Sequence, residues 1–595
     1  MCGIWGSTKQ FEKEVVLKKI NAISFRGPDN STFINYEKVT LGSTRLSIVD
    51  RNTASNMPFE KNGFVIVLNG EIYNYKELKK SHLPSELFLT DSDTEVLLEL
   101  YIKYGSACLK LLNGMFAFVI YDKTKNSLFG GRDRLGKKPL YYYSVNNHFE
   151  FASQPKAIVL NNSIEIDPES QLQYFIWTHI PDPNSIFKNI KKIPSGAYFS
   201  YRLDNADLSI EKYWDVDLNA ISNTSNFNYE ETKEQLKELL IDSIKKRISA
   251  NSNFAISLSG GIDSSLITAL ASTFNSNLAT YSVSFSDKEY DESNFAKIVS
   301  DILNTTHTNI LCDTENILRI IQKLPIYFDE PFADPSAIPT SLLFERCAAD
   351  TRVVLTGDGA DELFFGYHRY AEILRLKNEL HIKNLKNVIK SIFAANLKIS
   401  KYKNIEECYV GEMILQNLSY LNTANTFDAA LNSSELKYLY NDLPLPKKIM
   451  YFDLKHYLNN DINTKVDRAS MYNSVEARSP FMDCRVVEFA HKLPFDCLYD
   501  GTIQKKIVKD ILRNYLPDEI INRKKKGFSV PLAKLFRNEL KDYLIDIVSE
   551  ENVEKINVLN KKQVILLRDQ HISGTNNHAA ILYTVLNYIN WNNHK

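Results

Sequence analysis

About a third of the way along this sequence the spacing of its apolar residues changes character. Up to residue 201 the chain reads as short strands and turns with few helices: 65–68, 116–121, 140–144 and 149–152 are β-branched or aromatic runs bounded by Gly, Asn and Asp. The clearest helix there is 91–103, with Thr90 or Ser92 as its cap and acidic residues in its first turn. From residue 230 onward helices and apolar strands alternate: helix 230–250, strand 254–258, helix 264–274, strand 279–285, helix 293–303, strand 306–312, helix 316–327 and strand 352–355. Such alternation predicts a parallel, doubly wound sheet. Beyond about 367 most segments read as helices with lysine-rich outer faces, an extension of the second part. The stretch from about 204 to 229 is polar, rich in Asn and Ser, and without period. The division expected is therefore 2–205, a linker at 206–229, and 230–595.

Composition narrows the class of function. At 595 residues the chain is too long for one ordinary core. Lysine plus arginine (71) nearly cancels aspartate plus glutamate (72), so no electrostatic case exists for a nucleic acid or an anionic membrane. No apolar run approaches the roughly 20 residues of a membrane span, and no basic-then-apolar leader opens the chain. Seven cysteines lie scattered without C-x-x-C pairs, which argues against disulfides and zinc and fits a reducing cytoplasm.

Cys2 follows the initiator directly. Removal of Met1 would leave a thiol beside a free α-amine, whose pKa near 8 suits it to act as the thiol's general base. With it come Cys2-Gly3-Ile4-Trp5-Gly6, Arg26-Gly27-Pro28-Asp29, Thr44-Arg45-Leu46-Ser47-Ile48, Asn69-Gly70-Glu71-Ile72-Tyr73-Asn74 and Ser92-Asp93. Singly, each has a plain reading: Asn69-Gly70 signals a hairpin turn, Gly27-Pro28-Asp29 a turn, and Asp93 a helix start. Taken in order, and joined by Asn113-Gly114-Met115-Phe116-Ala117 and by Arg132, Asp133, Arg134, Gly136, Lys138, Pro139, Leu140 and Tyr141, they make the first 200 or so residues resemble the class II glutamine amidotransferase domain. That family is an N-terminal-nucleophile hydrolase, an α+β fold of stacked antiparallel sheets between helices. The resemblance implies that Cys2 attacks the glutamine amide, with Asn69 and the Gly70 N–H as oxyanion hole. Arg45 would clamp the α-carboxylate and Asp93 the α-ammonium, with Glu71 also at the glutamine site. Gln154 departs from the family, which usually has Glu there, and is expected to affect contacts with the second part.

Ser259-Gly260-Gly261-Ile262-Asp263-Ser264-Ser265 follows an apolar strand and opens a helix. Glycines admit an anion close to backbone amides, the helix N-terminus favours negative charge, and the serines add donors. An aspartate among phosphates requires a divalent cation. Neither a Walker A loop nor a dinucleotide fingerprint is present. The segment resembles the PP-loop of enzymes that adenylate a carboxylate and release pyrophosphate. Thr356-Gly357-Asp358-Gly359-Ala360-Asp361-Glu362 reads as a loop at the carboxyl edge of the same sheet, and beside the PP-loop it resembles the acidic loop of asparagine synthetases.

With Lys465-Val466-Asp467-Arg468-Ala469-Ser470-Met471, Ser474 to Asp483, and Arg523-Lys524-Lys525-Lys526-Gly527-Phe528-Ser529, the whole chain resembles glutamine-hydrolysing asparagine synthetases. The second part is then an α/β doubly wound PP-loop fold with a helical extension. The resemblance implies ATP contacts at Leu258, Ser259, Gly260, Gly261, Asp263, Ser264, Val283 and Gly357, and Mg²⁺ on Asp263 and Asp361. Lys525 would stabilise the leaving pyrophosphate. Asp358 falls where family members carry a glutamate acting near the acceptor; it is one methylene shorter, which leaves its acid–base role and the acceptor open. Glutamine, aspartate and ATP are the implied substrates, and a homodimer would follow the family. An acceptor other than aspartate, such as a sugar uronic acid or a peptide precursor, fits the same motifs.

Overall fold

The computed structural model describes residues 2–162, 164–218, 227–248, 253–382, 404–414, 418–422, 434–439, 441–523 and 530–595. In chain order the first part supplies β1 (Cys2–Ser7), β2 (Asn30–Asn35), β3 (Thr40–Arg45), β4 (Phe59–Lys61), β5 (Phe64–Ile72) and β6 (Gly114–Asp122). It continues with β7 (Ser127–Arg132), β8 (Tyr141–Val145), β9 (His148–Ala152), β10 (Ile190–Lys192), β11 (Ala197–Arg202) and β12 (Asp207–Lys212). These form two six-stranded antiparallel sheets, ordered β10-β8-β9-β1-β3-β2 and β12-β11-β7-β6-β5-β4.

The two-residue period of a strand decides the layering. In β5 and β6, Val65, Val67, Ala117 and Val119 form one core with Ile4, Leu41, Phe149 and Phe151 of the other sheet. The alternate residues Ile66, Leu68, Phe116 and Phe118 pack instead with Val96, Leu97 and Leu100 of the helix Asp93–Tyr104. Sheet stacks on sheet, with helices outside. Ser92 is that helix's cap, its Oγ accepting from the Thr94 amide at 3.0 Å, while the Thr90 hydroxyl donates to Glu95 at 2.7 Å.

The first part holds more regular structure than its sequence suggested. Helices Lys13–Asn21, Tyr75–His82, Pro155–Val159 and Pro168–Trp177 join the one foreseen. The supposed linker also begins too early. Residues 207–212 are the edge strand β12, paired with β11 from Ala197↔Lys212 to Arg202↔Asp207. Its side chains are mostly exposed, so neither apolar period nor composition marks it; backbone pairing with β11 holds it, helped by Leu208 against the core. Residues 219–226 of that stretch lie outside the described residues.

The second part contains β13 (Phe254–Ser257), β14 (Ala279–Phe285), β15 (Thr306–Cys312), β16 (Val353–Leu355) and β17 (Glu476–Arg478) in a parallel sheet ordered β15-β14-β13-β16-β17. β14 and β15 match the spans read from sequence. β17 and the helix Ala337–Cys347 were not foreseen; a three-residue strand offers no period to read. The chain leaves β13 toward β14 on one side and meets β16 on the other, so a crevice opens at the carboxyl ends of β13 and β16. The loops 258–261 and 356–359 sit at those ends. The remainder is helical, closing with Ala579–His594, whose Leu582, Tyr583, Leu586 and Ile589 are buried. Among the described residues no helix is long and apolar enough to cross a membrane.

The two parts meet over buried charge. Asp467 receives Arg26 at 2.9 and 3.0 Å and Lys138 at 3.1 Å, and these attractions hold its carboxyl far below the usual range despite burial. Asn113 Nδ2 donates to Asp483 at 3.0 Å, and Gln154 Nε2 donates to Asp329 at 2.9 Å. Gln154 thus bonds the second part directly, where a glutamate would face a second carboxylate.

Candidate active sites

β1 and β3 run side by side so that Cys2 stands opposite Arg45, and β5 of the other sheet brings Asn69, Gly70 and Glu71 to the same end. A cavity of about 40 Å³ is lined there by Cys2, Arg45, Met57, Gly70, Glu71 and Asp93. The Cys2 nitrogen, an amine once Met1 is removed, lies 3.5 Å from Asn69 Oδ1. Asn69 is fully buried and its Nδ2 has no hydrogen-bond partner, a donor held ready with nothing to donate to. Burial pushes the Cys2 thiol up, so at neutral pH it needs a base to become a thiolate.

Asn69 and Gly70 are not a hairpin turn. They lie within β5, opposite Ala117 and Phe116. Gly70 has φ +147°, and a Cβ there would come 2.0 Å from the Met115 carbonyl oxygen, so the position admits glycine alone. The Arg45 guanidinium is fixed by the loop 49–56, donating to the Asn52 carbonyl at 3.0 Å and Asn56 Oδ1 at 2.8 Å as well as to the Asp50 carbonyl. Asp93 opens its helix and accepts from the Ile72 amide at 2.9 Å; burial pushes its carboxyl up to about 6. Glu71 does not stand alone. Its carboxylate meets Arg478 of the second part, a fully buried guanidinium that also donates to Glu476 at 2.6 Å. The Arg478 carbonyl in turn accepts from the Thr356 amide at 2.9 Å, at the head of the acidic loop. One residue therefore touches both sites, which no sequence spacing announces.

In the crevice, Ser259 and Ser264 hold each other at 3.1 Å, and the Gly261 amide donates to Ser259 Oγ at 3.3 Å. Gly260 adopts φ +72°, and a Cβ on it would fall 2.6 Å from the Ala296 nitrogen. A Cβ on Gly357 would fall 2.9 Å from the Ser264 nitrogen, so the two loops pack face to face and only glycine fits between them. Leu258 is buried beneath the loop and Val283 lies on the neighbouring β14. Asp358 is half-buried, and desolvation pushes its carboxyl up.

Asp263 and Asp361 converge as expected, but on a cation of the chain's own. Lys505 Nζ lies 2.6 Å from both Asp263 oxygens and 2.6 Å from Asp361 Oδ1. Lys505 is 4% exposed and precedes the helix Lys506–Leu512. It was not singled out from the sequence, where Lys525 was; Lys525 lies outside the described residues. Arg523 reaches the loop as well, donating to the Gly260 carbonyl at 3.0 Å. Glu362 was also missed. It is buried against Tyr367, whose hydroxyl donates to it at 2.6 Å, and burial followed by the nearby Asp361 pushes it up to about 7. Among the described residues no group of three or more His, Cys, Asp or Glu side chains could hold a metal ion. Two carboxylates around one point are nevertheless the hard-oxygen set that magnesium takes together with phosphate oxygens.

A nucleophile-bearing fold of two stacked sheets, joined to a parallel sheet with a PP-loop at its switch point, is the architecture of an amidotransferase coupled to an ATP-using synthetase. The asparagine synthase family model matches residues 235–593, and the glutamine amidotransferase domain model matches residues 1–214. A protein of Bacillus subtilis named glutamine-hydrolysing asparagine synthetase 1 is 31% identical, over 99% of this chain and 96% of its own. A putative glutamine-hydrolysing asparagine synthetase 2 of Methanocaldococcus jannaschii is 34% identical, over 79% of this chain and 98% of its own. The amidase chry2 of Gibberella zeae is 25% identical, over 93% and 90%. The chain belongs to the asparagine synthase family. It is a ligase that uses ATP to transfer an amide nitrogen.

Proposed function

We propose that this ligase transfers the amide nitrogen of glutamine to the β-carboxylate of aspartate through a β-aspartyl-AMP intermediate, yielding asparagine, glutamate, AMP and pyrophosphate. The observation that carries the glutaminase half is the buried Asn69 Nδ2 without a partner beside Cys2. The Cys2 amine takes the thiol proton, and the thiolate attacks the glutamine carbonyl. Asn69 Nδ2 and the Gly70 N–H receive the oxyanion, and Arg45, Glu71 and Asp93 hold the amino-acid end. Ammonia leaves, and water releases glutamate from the thioester. Asn69→Ala is expected to lower glutamine turnover about 10²- to 10³-fold, the usual loss for one oxyanion donor, with ammonia-dependent synthesis unaltered.

Asp93 supplies a pH signature. Its ionised form pairs with the glutamine ammonium, and its pKa of about 6 places protonation within reach of assay. Lowering the pH through 6 converts the carboxylate to the neutral acid, so the KM for glutamine is expected to rise below pH 6 and to level off above it. The KM for ammonia-supported reaction components other than ammonia itself should show no such step.

In the second half the loop of Ser259, Gly260, Gly261 and Ser264 cradles the phosphates, with Leu258, Val283 and Gly357 around the nucleotide. Asp263 and Asp361 would hold Mg²⁺, which neutralises triphosphate charge as pyrophosphate leaves. Lys505, buried at the same point, adds a second positive charge there, the part first assigned to Lys525. Asp358, raised by desolvation, is placed to exchange a proton near the acceptor. The reaction runs in the cytoplasm, where both substrates and ATP are available. Purified protein with glutamine, ATP and Mg²⁺, with and without aspartate, tests the reading by end-point analysis. Asparagine, glutamate, AMP and pyrophosphate should appear together only when aspartate is present. Glutamate without asparagine or AMP would refute the acceptor and favour another carboxylate, as the amidase relative allows.

A further inference from the structure

The backbone of the phosphate loop is held from a distance. Gly260 is buried with φ +72°, and a Cβ on it would fall 2.6 Å from the Ala296 nitrogen and 2.7 Å from the Phe295 carbonyl carbon. The loop therefore rests on the first turn of the helix Ser293–Ile302. The Gly261 carbonyl accepts a helical bond from the Ser265 amide at 3.0 Å. The Gly260 carbonyl, one residue earlier, accepts instead from Arg523, with Nη2 at 3.0 Å and Nε at 3.4 Å.

Arg523 is itself gripped. Its Nη1 donates to Glu292, its guanidinium lies over the Phe295 ring at 4.3 Å from the centre, and its side chain is 9% exposed. Glu292 stands just before the helix, and its side chain makes no cap hydrogen bond there. Glu292 and Phe295 thus fix the arginine, and the arginine fixes a carbonyl 263 positions away.

A trans peptide points its C=O and its N–H in opposite directions. With the Gly260 carbonyl drawn to Arg523, the Gly261 N–H faces into the loop, where it meets Ser259 Oγ at 3.3 Å. Glycine with positive φ offers little resistance of its own to rotation of the 260–261 peptide. A turned peptide would present an oxygen where the phosphates need a donor. We propose that Arg523 is a positioning residue for the phosphate loop: it holds the Gly260 carbonyl outward and so keeps the Gly261 N–H aimed at the pyrophosphate portion of ATP. Direct contact of Arg523 with the triphosphate is disfavoured, because Nε, both terminal nitrogens and one face are already engaged. This rests on the reading of the loop as the phosphate cradle and adds the group that keeps its donor aimed.

Calorimetric titration of the full chain with ATP, pyrophosphate and AMP, each with Mg²⁺, tests it. Arg523→Met should raise the Kd for ATP and for pyrophosphate about 10- to 100-fold, the range for one charge-assisted hydrogen bond, and leave that for AMP within about two-fold. Arg523→Lys should fall between the variant and the wild type. Glu292→Ala decides by sign. Loosening the arginine should weaken ATP several-fold, whereas an arginine that met the triphosphate directly would be freed and would tighten it. Unchanged or tighter ATP binding in Glu292→Ala overturns the positioning role, as does an Arg523→Met protein that loses AMP and ATP alike. If Arg523→Met fails to fold, Glu292→Ala alone decides. A wild-type chain that binds ATP no more tightly than AMP and does not bind pyrophosphate overturns the phosphate cradle itself, and this role with it.

Discussion

Cys2→Ala is expected to reduce glutamine-dependent synthesis to background while ammonia-dependent synthesis continues at the wild-type rate. The thioester cannot form without the sulfur, and removing a covalent nucleophile typically costs about 10⁴-fold or more. Alanine fills most of the cysteine's volume at a site that is already buried, so β1 and its register with Arg45 should survive. Product analysis with each nitrogen source checks this. Glutamine use unchanged in the variant would remove Cys2 from the mechanism. Intact mass belongs to the same experiment, because a retained Met1 blocks the amine that serves as base and should silence glutamine use even in the wild type.

Lys505→Met is expected to have the opposite pattern: pyrophosphate release falls about 10³-fold with either nitrogen source, whereas glutamine hydrolysis at Cys2 persists. The lysine is the buried cation on which Asp263 and Asp361 converge. Without it two carboxylates face each other, and the triphosphate loses a positive charge where pyrophosphate must depart. Added Mg²⁺ should restore little, since the ion satisfies the carboxylates but not the leaving group. A purely architectural lysine would, when removed, lower thermal stability and both activities together. Retained glutaminase with lost adenylation is the result that separates the two accounts. Full synthesis in this variant would return the role to Lys525.

What the sequence disclosed follows from what repeats. β14 was placed correctly because Tyr281, Val283 and Phe285 mark a strand buried along nearly its whole length, and β15 because Thr306, Thr308 and Ile310 are β-branched, although that edge strand fully buries only Cys312. β12 escaped because an edge strand with mostly exposed side chains shows no apolar period, and β17 because three residues carry none. At the sites, Cys2, Arg45, Gly70, Glu71 and Asp93 were found through local motifs, and the structure does gather all five around one cavity. Lys505 stands 242 positions from Asp263, in a stretch of lysines with nothing to distinguish it. Likewise Arg26, Lys138 and Asp467 belonged to matched motifs, but only the fold reveals that they bond one another across the junction rather than touch a substrate. Asn69-Gly70 was misleading in isolation. The dipeptide that usually turns a hairpin here sits inside a strand, where Gly70's conformation serves close packing against Met115.

The ion pairs between the two parts bear on modularity. Arg26, Lys138 and Asp467, and Glu71 with Arg478, are buried at the junction and drawn from opposite sides of it. A half made alone would strand these charges, at about 3–5 kcal/mol for each buried group deprived of its partner, against a total folding stability of only about 5–15 kcal/mol. The parts therefore are not interchangeable cassettes. A chimera that borrows the glutaminase half of a relative must inherit both ends of each pair, and a change at Asp467 is open to natural drift only alongside a change at Arg26 or Lys138. Genes of this design should therefore recombine poorly between the two parts.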